Sequence, residues 1–347
     1  MRLTAVVLLI SCLPTAGAQT FGDADPLFRS DEVLALHIAA PLTTLMEERP
    51  DEEELAGTAR WNAADGSLVT VAVDIRTRGN YRRQRDVCPF APLRLDFRKS
   101  EVEGTLFDAQ DKLKLVTHCK NDSRRNQQFL LREYLVYRMF NTLSDLSYRV
   151  RLLEITWENT EDPRSNFVAP GILIESDERL AKRVGLPPST LERTTADTLD
   201  PAYTNLAAIF HYFIGNTDFS PMAGPAGDTC CHNSTLFGPD GGPYFPVPYD
   251  FDMSGMVNTD YASPNPRFGI RDVQTRLYRG RCAHIDYTAQ SLALFREHEA
   301  ELYAWIDYLD ALASWPRKDM RGFMDKFFRT IGDPDDVQKQ IVDRCVE

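Results

Sequence analysis

The chain has 347 residues, 43% of them hydrophobic and 26% charged, which excludes a largely disordered or collagen-like polypeptide. Its 39 Lys and Arg stand against 51 Asp and Glu, a formal net charge of −12. That balance argues against broad nucleic-acid binding, which depends on neutralising phosphates with cationic side chains, and leaves room for a local basic pocket.

Residues 1–18 read as a secretory signal peptide. Arg2 gives the positive start, residues 5–10 an apolar stretch, and Ala16-Gly17-Ala18 a small-residue cleavage site. The apolar stretch is too short to span a membrane, and no later segment is long and apolar enough to do so. The expectation is an exported protein, periplasmic or extracellular, with no integral membrane segment after processing. Beyond Cys12 six cysteines remain, and six cysteines in an exported chain suit disulfides. Cys88 and Cys119 each border a strand-like segment in one half and are expected to pair. Cys230 and Cys231 are expected to bond elsewhere rather than to each other. A metal reading of Cys230, Cys231 and His232 lacks any C-x-x-C or H-x-x-x-H spacing.

In chain order, residues 33–39 form a short apolar run. Residues 67–78 alternate Val69, Val71, Val73 and Ile75 with polar neighbours, as a half-buried strand does. A turn follows at Arg78-Gly79-Asn80-Tyr81, and residues 92–97 and 112–117 alternate again. Asp122 and Ser123 are caps for a helix over 125–143. Residues 148–157 and 167–175 read as strands, 177–184 as a short helix, 185–190 as a linker and 201–214 as an apolar helix. Residues 216–260 are dense in Gly, Pro, Asn and Asp, and helices return over 288–314 and 318–330. Tyr303, Trp305 and Trp315 sit at helical apolar positions and are expected in the core. A β-rich half with one helix, then a helical half, predicts two lobes joined near Ser176 with a cleft between them.

Three segments carry residues suited to chemistry. Phe129, Glu133, Tyr137 and Phe140 share one helix face, so Glu133 needs a cation or donor beside it. Lys112 and Lys114 on the preceding strand are the expected partners, and Arg94 competes with them as the phosphate-facing cation. Asp218 follows the apolar helix in Gly215-Asn216-Thr217-Asp218, with His232-Asn233 after an insert. A short apolar strand then delivers Asp250 and Asp252, a pattern that suits a hard cation shared with phosphate oxygens. Arg76, Arg78, Arg82, Arg83 and Arg85 crowd the turn at Gly79, either as a phosphate cradle of guanidinium forks or as a solvated hairpin. His211 is expected to be a packed core histidine.

The order strand Lys, helix Glu, loop Asp, Asn, strand-end Asp is the functional order of a protein kinase. The chain resembles the atypical secreted kinases of the spore-coat CotH family in Arg76-Thr-Arg-Gly-Asn-Tyr-Arg, Pro-Leu-Arg-Leu-Asp-Phe, Gly-Ile-Leu-Ile-Glu at 171–175, Gly-Asn-Thr-Asp-Phe-Ser, His-Asn and Pro-Tyr-Asp-Phe-Asp. The resemblance implies an α+β, bilobal protein-kinase-like fold. Its β-rich N-lobe, with one key helix, would cover about 30–175 and its mainly helical C-lobe about 177–347, within one domain over 19–347. It implies ATP with Mg²⁺ or Mn²⁺, and transfer of the γ-phosphate to a hydroxyl acceptor on a protein, glycan or small molecule. Carried over by position, Asp218 is the catalytic base, Lys114 holds the phosphates and Glu133 orients it. Lys112, Arg78, Gly79, Arg94 and Glu175 contact the nucleotide, Asn233 and Asp250 bind metal, and Asp252 is a second ligand or a support. Two departures stand out: the insert between Asp218 and Asn233 is long, and no G-x-G-x-x-G loop is present. The alternatives are an inactive envelope or surface binding protein, and an enzyme transferring AMP or activating a carboxylate.

Overall fold

The computed structural model describes residues 22–120 and 123–347. The expected signal peptide and the cap at Asp122 lie outside them. The first half contains strands β1 (Leu34–Ala40), β2 (Leu55–Asn62), β3 (Leu68–Thr77), β4 (Leu93–Phe97), β5 (Lys112–Thr117), β6 (Val150–Asn159) and β7 (Phe167–Ile174). Helices α1 (Leu42–Glu48), α2 (Lys99–Val102) and α3 (Arg124–Leu143) interrupt them.

These strands form a closed barrel in the order β1-β2-β3-β4-β5-β7-β6, with β6 returning to pair in parallel with β1 from Leu34↔Leu153 to Ala40↔Asn159. Alternation supplies its filling. Val73, Ile75, Leu93, Leu95, Leu113, Leu115, Ile155 and Trp157 all point inward and are almost fully buried. The closure corrects the expected bilobal protein-kinase-like fold with its β-rich N-lobe, since here the seven strands form a barrel with no free edge. The physical reason is β2. Its weak pattern conceals a strand that pairs with β1 around Ala59 and with β3 along its whole length, linking those two strands so that the β1–β6 pairing closes the ring.

The second half packs around a separate apolar core. Helices α4 (Asp177–Val184) and α5 (Pro201–Ile214) precede the hairpin β8 (Ser234–Phe237) and β9 (Phe245–Pro248). Then follow α6 (Thr288–Glu297), α7 (Glu299–Tyr308), α8 (Ser314–Gly332) and α9 (Pro334–Gln340). α3 belongs to this second core, its buried face meeting α5, α7 and the residues after β9. The expected helix over 288–314 is two helices, broken at His298. Trp315 differs from expectation in being 45% exposed, because it lies as a lid over the buried guanidinium of Arg132, 4.7 Å away.

Three disulfides join Cys88 to Cys119, Cys230 to Cys231 and Cys282 to Cys345. The first is the expected pair. The second corrects the expectation that adjacent cysteines bond elsewhere, the two sulfurs meeting across a cis peptide. Three disulfides suit the oxidising surroundings expected of an exported chain. Among the described residues no helix is long and apolar enough to cross a membrane.

Candidate active site

A cleft of about 650 Å³ opens between the Arg78–Arg82 loop on one side and the Asp218 loop and β8–β9 hairpin on the other. Arg78, Arg82, Asp218, Asp228, Asp250 and Asp252 are the charged residues of its walls.

Helix α5 ends at Gly215, whose φ of +65° and close approach to Phe323 (2.8 Å from an added Cβ) exclude a side chain. The next residues are held on both sides. The Asn216 side chain accepts from the Asp218 backbone N–H at 2.8 Å, and Arg279 donates to the Phe219 carbonyl at 2.8 Å. His211 is buried and stacked on Phe219 at 3.7 Å, and burial lowers it to about 3, so it stays neutral as core packing. The long insert leaves from Ser220 and returns at His232, where the two backbones pair at 3.0 and 3.2 Å. Its length therefore does not separate Asp218 from Asn233: the Asn233 amide donates to the Asp218 carbonyl at 2.7 Å and to Oδ2 at 3.0 Å.

The hairpin brings in the third member. Asn233 precedes β8 and Asp250 follows β9, and Ser234 pairs with Pro248 at that end of the ladder. Both Asn233 (φ 52°) and Asp250 (φ 59°) adopt the left-handed region, which turns their side chains off the ladder. Helix α3 fixes Asp250 from below, Tyr137 accepting its backbone N–H at 2.8 Å.

One turn from Tyr137, Glu133 finds a different partner from the one expected. Arg82 reaches in from the barrel loop and meets Asp250 at 2.9 Å, Asp252 at 3.1 Å and Glu133 at 3.7 Å. The expected Lys114–Glu133 pair is thereby corrected: outward alternation on β5 carries Lys114 to Asp177 at 3.5 Å and over the Tyr249 ring at 4.7 Å. One guanidinium against three carboxylates leaves the cluster net negative. Burial raises the Glu133 carboxyl above its ordinary value, Asp252 and Asp250 push the same way, and Arg82 opposes them. Burial likewise raises Asp252, against Arg82.

Arg78 lies half-buried on the cleft wall with no ion pair within 4 Å among the described residues, and burial lowers its pKa. Gly79 beside it is exposed with no atom near the position of a Cβ. Arg94 sits opposite Lys114 and Arg76 in strand register, half-buried, with its Nε unpartnered among the described residues. Arg94 does not line the cleft, and two further expected nucleotide contacts also lie elsewhere. Lys112 is exposed and paired with Asp96 at 3.4 Å, and Glu175 is buried against Arg183 at 2.8 Å. The structure thus gathers Asp218, Asn233, Asp250, Asp252, Arg78 and Gly79 on one cleft, with Glu133 joined through Arg82 and Lys114 at its edge.

Two residues escaped a role in the sequence reading. Arg82 was visible only as one of five arginines. His232, whose Nε2 lies 2.8 Å from Asp218 Oδ1, stands out in the sequence only beside Asn233 and in the weak metal reading with Cys230 and Cys231. That bond raises the imidazole pKa, against partial burial.

The donors suit a hard divalent cation completed by a ligand. Asp250 Oδ2 and Asn233 Oδ1 have no protein partner among the described residues, whereas the Asp252 carboxylate is engaged by Arg82 and by Tyr261 at 2.9 Å. Mg²⁺ typically takes one or two carboxylates and finds its other oxygens in water and phosphates. Among the described residues no group of three His, Cys, Asp or Glu is placed to hold a metal by itself. No family model matches the chain, and no curated protein matches it significantly, so a functional reading rests on the residues of the cleft.

Proposed function

We propose that the cleft binds ATP with Mg²⁺ or Mn²⁺ and transfers the γ-phosphoryl group to a hydroxyl acceptor on a protein, glycan or small molecule. The observation that carries this reading is the meeting of Asp218, Asn233 and Asp250 at one hairpin end, on the same cleft as the Arg78 guanidinium, which has no ion pair within 4 Å among the described residues. Phosphoryl transfer asks a protein mainly to position two oxygens in line and to balance spreading negative charge. Arg78 supplies a two-pronged donor for phosphate oxygens, and open space at Gly79 lets backbone approach them. Lys114 adds a compact positive charge at the cleft edge.

Asp250 and Asn233 would hold the cation, which neutralises phosphate charge as the bond breaks. Glu133 and Asp252 act through Arg82, whose grip on Asp250 Oδ1 fixes that carboxylate with Oδ2 outward. Asp218 supplies the basic charge that draws off the acceptor's proton.

The test is the unfolding midpoint with and without ATP, in Mg²⁺ and in Mn²⁺. ATP is expected to raise the midpoint of the wild type only with a cation, and Asp250→Ala is expected to lose that rise. No ATP-dependent shift with either metal would end this reading. Label followed from the γ- and from the α-phosphate separates phosphoryl from AMP transfer. Nucleotide binding with no transfer, the same in Asp218→Ala, would instead assign a binding protein.

A further inference from the structure

The carboxylates of Glu133, Asp250 and Asp252 converge on one guanidinium, each through a different nitrogen. Arg82 Nη2 donates to Asp250 Oδ1 at 2.9 Å, Nε lies 3.1 Å from Asp252 Oδ2, and Nη1 lies 3.7 Å from Glu133 Oε2. A planar fork of donors suits that division, because it faces several anions at once where a lysine ammonium is a single point. Both sides of the contact are held from outside it. Next to Arg82, the Arg83 carbonyl accepts from Arg49, the Arg83 side chain pairs with Asp51, and the Gln84 N–H donates to the Tyr81 carbonyl at 3.1 Å. Opposite, Tyr261 donates to Asp252 Oδ2 at 2.9 Å and Thr259 to the Asp252 carbonyl at 3.2 Å. Arg82 and Asp252 are buried, whereas the Asp250 side chain is 31% exposed.

Metal-assisted phosphoryl transfer often clamps the reacting oxygens between two divalent ions roughly 4 Å apart. Asp250 and Asp252, two residues apart at the end of β9, are the natural ligands for a second such ion. Here Asp250 Oδ1 and Asp252 Oδ2 both pair with Arg82. A Mg²⁺ ion between them would need oxygens at about 2.1 Å and would stand against the positive charge of the guanidinium. Asp250 Oδ2 and Asn233 Oδ1 remain, the donors of one ion.

We propose that Arg82 is a resident cation, its guanidinium standing where a second divalent ion would bind between Asp250 and Asp252, so that the cleft works with one metal ion per chain. This rests on the phosphoryl-transfer reading above. Arg82 is thereby a positioning residue, since it sets Asp250 for the ion that Oδ2 takes. A charge built into the chain is present whatever the supply of free metal, and the exchangeable cation is the one that arrives with the nucleotide phosphates.

The test is a count of bound Mn²⁺, read from the loss of the free-ion EPR signal with one equivalent of the β,γ-imido analogue of ATP per chain. The wild type is expected to bind one ion per chain. Arg82→Ala, where its melting temperature shows that it folds, is expected to bind two. Guanidinium added well below denaturing concentrations is then expected to displace the second. Two ions in the wild type would overturn the inference and leave the phosphoryl-transfer reading intact, and so would one ion in a folded Arg82→Ala protein. The wild-type count needs no variant, so a failure of Arg82→Ala to fold leaves that arm standing. If the wild type neither binds the analogue nor shows an ATP-dependent shift in either metal, the phosphoryl-transfer reading fails and the inference falls with it.

Discussion

Two buried arginines meet their carboxylates in opposite ways. Arg183 on α4 grips Glu175 through two bonds of 2.9 and 2.8 Å and donates its other N–H groups to the carbonyls of Asp145 and Ser147. One cation faces one anion, and both side chains are sealed from solvent. Arg82, just as well buried, is shared among Glu133, Asp250 and Asp252, and its contact with Glu133 is long at 3.7 Å. Glu133 Oε1 is buried without a hydrogen-bond partner among the described residues. The first pair is complete as structure. The second is complete only with further positive charge or a proton, and it borders an open cleft with a hard-oxygen donor pair at its rim. Unneutralised charge beside a cleft marks a place for a ligand more surely than burial alone does.

Breaking the complete pair is expected to have the largest effect on stability. Arg183→Met leaves Glu175 buried and uncompensated, which costs about 3–5 kcal/mol in urea unfolding at neutral pH. Below its unfolding midpoint the variant should still show the ATP-dependent shift, because Glu175 does not open on the cleft. A lost shift in a folded Arg183→Met protein would erase the distinction between the two arginines.

Glu133→Gln probes the incomplete cluster and should behave differently. The folded carboxyl is raised above its ordinary value of 4.5, so the native state holds a proton that the unfolded chain has released. Stability from this group therefore falls as pH rises above 4.5 and through the raised folded value. An uncharged isostere removes that slope. At pH 8 the variant should match the wild type or exceed it, and at pH 5 the two should differ less, as urea midpoints will report. A loss at pH 8 as large as that of Arg183→Met would show Arg82 and Glu133 to be a second structural pair.

Much of this architecture is legible in the sequence because it is periodic. Alternation marks β3, β4 and β5, and the 3.6-residue stripe Phe129, Glu133, Tyr137, Phe140 marks the buried face of α3. What is illegible is non-local or aperiodic. Barrel closure depends on β1 meeting β6 across more than a hundred residues, and no residue of either strand encodes its partner. Arg82 lies in an irregular loop between β3 and β4, pinned by the Cys88–Cys119 disulfide and by Arg49 donating to the Arg83 and Pro89 carbonyls. Nothing periodic fixes where its side chain points. The insert before Asn233 likewise hides a short distance behind a long count. The Asp250-x-Asp252 pair was legible as carboxylates but not in its division of labour, with Asp250 half-exposed and Asp252 tied to Arg82 and Tyr261.

The smallest expected effect separates two lysines on one strand. Lys112 and Lys114 both point outward from the barrel, and alternation alone offers no ground for choosing between them. Position along β5 chooses. Lys112 stands at the solvent end beside Asp96 with its side chain 55% exposed, whereas Lys114 is 18% exposed and rests on the Tyr249 ring at the cleft edge. Solvent screens the Lys112 pair, so Lys112→Ala should change stability by less than about 0.5 kcal/mol. It should also leave the ATP-dependent shift at its wild-type value. If Lys112→Ala instead abolished that shift, the phosphates would lie along the outer barrel wall, away from Asp250 and Asn233. The cleft would then hold a charged cluster with no part in nucleotide binding.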